Sequence, residues 1–160
     1  MSNPDALNFR PAVRADYDHL GELMYTAVRT GKSLYNEKQR QAWVPVPRAG
    51  EDWTKRLDAQ TIILAENEKQ IAGFMSLTAD AYLDFAYIRP SFQGSGLFRA
   101  LYNHIEQVAR DASHKRIWVH ASLMAKPAFS AVGFSVTSEQ TVMIGTESFE
   151  RFEMEKIPSF

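Results

Sequence analysis

Residues 84–110, DFAYIRPSFQGSGLFRALYNHIEQVAR, place the tightest constraint on how this chain folds. An apolar stretch over 81–88, rich in aromatics, predicts a strand covered on both faces. Arg89-Pro90 ends it, because proline removes a ladder donor. Gln93-Gly94-Ser95-Gly96 then runs directly into a helix, whose apolar face is read as Leu97, Leu101, His104, Ile105 and Val108. Glycines at a helix start leave backbone N–H groups bare, and the helix dipole adds partial positive charge there. Together these suit an anion, most often a phosphate. The bland alternative is that two glycines only make a tight strand-to-helix turn.

The kind of phosphate ligand can be narrowed. A P-loop needs GxxxxGK followed by Ser or Thr, and no such string occurs. A dinucleotide fingerprint starting at Gly94 and Gly96 would need a third glycine where Arg99 stands. What fits is Gln/Arg-x-x-Gly-x-Gly/Ala after a strand ending in IRP, written here as Gln93-Gly94-Ser95-Gly96-Leu97-Phe98. This segment resembles the acetyl-CoA pyrophosphate loop of the GNAT N-acetyltransferases. Phe98 departs from the small residue that closes the family pattern.

The rest of the chain sets the bounds. Its 160 residues fit one domain, 1–160, with a proper core. A formal net charge of −1 gives no reason to expect nucleic acid or an acidic membrane as partner. The absence of cysteine excludes disulfides, a thiol nucleophile and thiolate metal sites. The four histidines show no metal-ligand spacing, so no metal is expected. No apolar run has membrane-span length and no signal-peptide core opens the chain, so the cytoplasm is the expected location.

In chain order, a strand is predicted over 7–13, at a sheet edge because of Pro11. Asp16 is read as the N-cap of a helix ending near Gly31. Short helices over 35–42 and 51–57 carry or adjoin Tyr35, Trp43 and Trp53, which plug the core or wall a cleft. Strands over 61–66, 71–78 and 81–88 form an antiparallel meander. A strand over 116–120 follows the central helix and so lies parallel to the 81–88 strand. A short helix within 122–132 and a closing hairpin of 134–144 with 149–154 complete the chain.

That order is similar to the GNAT fold across nearly the whole chain. The fold expectation is therefore α/β (mixed α+β): a central, mostly antiparallel mixed sheet flanked by helices, with one splayed parallel strand pair. The segments EKQRQAW (37–43), WTKRL (53–57) and 121–134 with its Gly133-Phe134 resemble a bacterial GNAT subgroup of largely unassigned substrate.

The resemblance implies acetyl-CoA as cofactor, with coenzyme A as product, and direct attack by an amine in a ternary complex. The acceptor would be a small-molecule or peptide amine. The implied cofactor-binding residues are the loop Gln93, Gly94, Ser95, Gly96, Leu97 and Phe98, with strand residues Ala86, Tyr87 and Ile88. Ser122 stands at the family's Asn position. Phe129 stands at the family's Tyr position, where many members keep a general acid, and has no proton to give. Strand alternation puts Tyr82, Asp84, Ala86 and Ile88 on one face. Asp84 is an ionisable group in an apolar run, or else a structural ion pair. His120 has the right intrinsic pKa for a base, or is a capping histidine. Tyr82 is a proton relay or a packed tyrosine. The rival function is a non-catalytic acyl-CoA-binding or sensor protein of the same fold. The oligomeric state, a homodimer included, is left open.

Overall fold

The structure, a computed structural model, describes residues 6–158. Seven strands make one sheet in the order β1-β2-β3-β4-β5-β7-β6. Strand β1 (Asn8–Pro11) lies at the edge, where Pro11 costs no ladder bond, and pairs antiparallel with β2 (Gln60–Glu66). β3 (Ile71–Thr78) and β4 (Tyr82–Ile88) extend the meander. The Asn67 side chain closes the β2–β3 turn by accepting from the N–H groups of Lys69 and Gln70.

Helices α1 (Tyr17–Thr30), α2 (Glu37–Trp43) and α3 (Glu51–Asp58) fill the connection before β2. Asp16 stands at the N-cap of α1, as expected, but its side chain makes no cap hydrogen bond there. Its carboxylate instead accepts from the Val13 N–H at 2.8 Å and from Arg10 at 2.9 Å. The capping box falls on α2, where Asn36 and Gln39 each accept the other's backbone N–H at 2.8 Å. α1 and α3 cover one face of the sheet through a core containing Leu20, Leu23, Trp53, Leu57, Phe74 and Phe85. Trp53 belongs to that core and donates its indole N–H to the Tyr17 carbonyl at 2.8 Å.

α4 (Leu97–Asp111) covers the other face. Its inward side is Leu97, Leu101, Tyr102, Ile105 and Ala109, and His104 is exposed against Phe9. The expected stripe is thus rotated. Glu106 makes this tolerable: it is buried, yet accepts from Tyr102 at 2.9 Å and pairs with Lys156 at 2.6 Å.

Two irregularities in the sheet position the site. First, Leu77 faces Leu83 and Ser76 faces Phe85, so Asp84 is the extra residue of a β-bulge. The Phe85 N–H left out of the ladder donates to the buried Ser76 hydroxyl at 3.1 Å. The bulge reverses the side-chain phase. Leu83, Ala86 and Ile88 pack on the α4 side, whereas Phe85 and Tyr87 pack on the α1–α3 side. Tyr82, Asp84, Ala86 and Ile88 therefore do not share a face, because the alternation rule holds only for an unbroken ladder.

Second, β4 and β5 (Ile117–Ser122) pair in parallel at only two positions, Tyr82 with Trp118 and Leu83 with Val119. Past the bulge the strands part. β5 pairs along its whole length with β7 (Glu147–Lys156), which lies between it and β6 (Ser135–Ile144). The six-residue α5 (Lys126–Ala131) bridges β5 and β6. Among the described residues no helix is long and apolar enough to cross a membrane.

Candidate active site

Two cavities that share a wall adjoin where β4 and β5 diverge. On the α4 side lies a cavity of about 410 Å³, bounded by the Gly-rich loop, the end of β4 and α5. On the α3 side lies one of about 240 Å³, bounded by β4, β5 and the β6–β7 hairpin. Tyr35, Trp43, Ala86, Tyr87, Ser122 and Ala125 line both.

The loop geometry follows from its glycines. Gly94 and Gly96 have φ of 77° and 84°, in the left-handed region that glycine adopts without strain. A Cβ at either position would meet nothing within 4 Å, so the backbone here faces open space. Gly96 sits at the N-cap of α4 with no side-chain cap. The first N–H groups of that helix therefore point outward without an intrahelical acceptor. The Gln93 amide donates to the Ile88 carbonyl at 3.2 Å, tying the loop to the free edge of β4.

Of the residues expected at a cofactor, Ala86, Tyr87, Ile88, Gln93, Gly94, Gly96, Leu97, Phe98 and Ser122 line the larger cavity. Ser95 turns its hydroxyl back to the Phe92 carbonyl at 2.5 Å. Phe129 is buried, lies edge-on to Phe98 and Phe134, and borders the smaller cavity.

The three residues expected in catalysis gather in the smaller cavity. The Tyr82 hydroxyl lies 2.9 Å from His120 Nδ1, and His120 Nε2 is 3.6 Å from Glu153. Burial, with Arg151 nearby, lowers the His120 pKa despite the opposing pull of Glu153. Burial and Asp84 raise the Tyr82 phenol. Asp84 is fully engaged by neighbours: Arg56 forks onto both of its oxygens at 2.8 and 2.9 Å, and Gln60 donates at 2.7 Å.

Three basic residues complete the smaller cavity, Arg48, Arg56 and Arg151, and none was singled out from the sequence. Arg151 was the most accessible of them to such reasoning. Alternation along β7 puts Phe149, Arg151 and Glu153 on one face, but only the β5–β7 register brings that face beside His120. Tyr35, one of the aromatics expected to wall a cleft, anchors the shared wall. It donates to the Glu150 carbonyl at 2.6 Å and accepts from the Leu123 N–H at 3.2 Å.

Known proteins share this architecture. The sequence model of the acetyltransferase (GNAT) domain matches residues 32–156. The chain is 26% identical to the uncharacterized N-acetyltransferase YafP of Escherichia coli K12 over 159 residues, 99% of either chain. Its fold is similar to that of a GCN5-related N-acetyltransferase from Rhodopseudomonas palustris, with a TM-score of 0.86, 24% identity and 98% and 97% of the two chains covered. It is also similar to yncA of Salmonella typhimurium, a structure containing acetyl-CoA, with a TM-score of 0.67, 18% identity and 96% and 95% coverage.

Proposed function

The chain belongs to the GNAT acetyltransferase family, and we propose that it moves the acetyl group of acetyl-CoA to a primary amine by direct attack in a ternary complex. The observation that carries this is the parting of β4 and β5, which joins a phosphate-ready groove to a pocket holding a titratable pair. The cofactor supplies an activated acetyl thioester. The open cradle at Gly94 and Gly96 fits its diphosphate, as does the uncapped start of α4. The edge of β4 from Ala86 to Ile88, left unpaired by β5, offers backbone donors and acceptors to the pantetheine arm and an N–H to the oxyanion.

His120 serves as the base, taking the acceptor ammonium's proton through the Tyr82 hydroxyl. The lowered His120 pKa keeps its ring neutral near pH 7, and the raised Tyr82 pKa keeps the phenol protonated. Asp84, held by Arg56 and Gln60, positions the bulge rather than moving protons. No acid is assigned to the departing sulfur. A thiol of pKa about 8.5 leaves tolerably without one.

Thermal shift and thiol release test this reading. Acetyl-CoA and CoA should stabilise the protein where ATP does not, and a panel of amines should release thiol. Phe129 favours a second reading, a non-catalytic acyl-CoA sensor. Cofactor binding with no thiol release from any amine would select it.

A further inference from the structure

We infer that the amine accepted in the smaller cavity carries an oxyanion, a carboxylate or phosphate, which Arg48 and Arg151 bind. The inference rests on the acetyltransferase reading only in calling the ligand an acceptor. Its evidence is the charge balance of the pocket. Asp84 is the carboxylate in its lining, and Arg56 neutralises it with a two-bond fork. Arg48 and Arg151 remain, and neither forms an ion pair among the described residues. Arg151 gives its Nε to the neutral Gln140 at 2.9 Å, while its charge is felt at both His120 and Tyr82.

Arg48 is the more telling residue. Its Nε is shut from solvent with no acceptor among the described residues, and its charge bears on the Tyr87 hydroxyl in the shared wall. Arg29 and Arg40 also leave Nε unbonded, but both anchor through Nη atoms to backbone carbonyls. Among the described residues Arg48 has no such anchor. A half-buried guanidinium with an unmet donor is favourable only when an acceptor arrives. The backbone holding Arg48 is also built to a close tolerance. A Cβ on Gly21 would come 2.0 Å from the Arg48 carbonyl oxygen, so α1 needs glycine there for this loop to approach.

An ammonium with an oxyanion a few bonds away meets both needs of the pocket, since its anion faces the arginines and its amine faces Tyr82 and His120. A cationic polyamine is repelled by the same charges.

Calorimetry with the CoA-bound protein tests this apart from turnover. The probes are aliphatic amino acids, aminoalkyl phosphates, the matching amino acid amides, and a diamine. At least one anionic class should bind about tenfold or more tighter than its neutral analogue, roughly 1.4 kcal/mol, and the preference should weaken with salt. Arg48→Gln and Arg151→Gln should each erase that preference without changing CoA affinity, and the Lys variants should restore part of it. Whether carboxylate or phosphate binds tighter names the source. Equal binding of anionic and neutral amines, or tighter binding of the diamine, overturns the inference. Thiol release from neutral amines alone would overturn it while leaving the acetyltransferase reading intact. Anion-selective binding without any thiol release would do the reverse.

Discussion

Arg56 reaches across from α3 to hold Asp84 at the bulge of β4, Nε to Oδ2 at 2.9 Å and Nη2 to Oδ1 at 2.8 Å. The guanidinium also lies over the Phe85 ring, 4.6 Å from its centroid. One side chain thus fixes both the extra residue of the bulge and the residue after it. Asp84→Asn should therefore act first on stability. Arg56 is 46% exposed, which discounts the charge-assisted bonds to about 1 kcal/mol. For a chain of this size the melting temperature should fall by about 2–4 °C. kcat should fall by less than about tenfold. A loss of 10²–10⁴, the usual worth of a general base, would make Asp84 the base and displace His120.

His120 sets the expected pH profile. Burial and Arg151 lower its pKa, so the neutral ring persists below the ordinary 6.5. kcat/KM should rise with pH through a single limb below that value and then level off. Glu153 opposes the shift by favouring the protonated ring, so Glu153→Gln should move the limb to still lower pH. His120→Gln should abolish the limb and lower kcat about a hundredfold. A wild-type limb above 6.5, or one that persists in His120→Gln, would point to another base.

How much of this was legible in the sequence depended on how local the signal was. β3 spans Ile71–Thr78, the residues its apolar run indicated, because its partners on both sides are neighbours in sequence. The Gly94 and Gly96 turn was equally legible, since conformational freedom belongs to the residue itself. The bulge at Asp84 was not. It depends on a Ser76 hydroxyl filling a gap in the ladder, and period-two counting assumes there is no gap. Glu106 escaped notice because the partner that permits its burial, Lys156, lies fifty residues away. The insertion of β7 between β5 and β6 carried Arg151 to the site, and no local pattern encodes that order.

The cradle at Gly96 gives a binding prediction. Gly96→Glu would add a carboxylate at a φ of 84°, where side chains are strained, beside the uncapped N–H groups of α4. CoA affinity should weaken at least about tenfold, roughly 1.4 kcal/mol. Calorimetry with CoA checks this. Unchanged affinity would place the diphosphate elsewhere.

Gly21 supplies a case in which helix propensity and packing oppose each other. It is buried on α1, where alanine would ordinarily gain about 0.5–1 kcal/mol. Its Cβ, however, would lie 2.0 Å from the carbonyl oxygen of Arg48 and 2.9 Å from that residue's carbonyl carbon. Both atoms belong to the backbone, so no rotamer change relieves the clash, and the 44–50 connection must move. Overpacking of this kind costs about 1–3 kcal/mol, which exceeds the propensity gain. Gly21→Ala should therefore lower the denaturant midpoint. Because Arg48 moves with its backbone, acceptor KM should rise several-fold while CoA affinity holds. Greater stability in Gly21→Ala would show that the connection yields freely. The position of Arg48 would then not be set by α1.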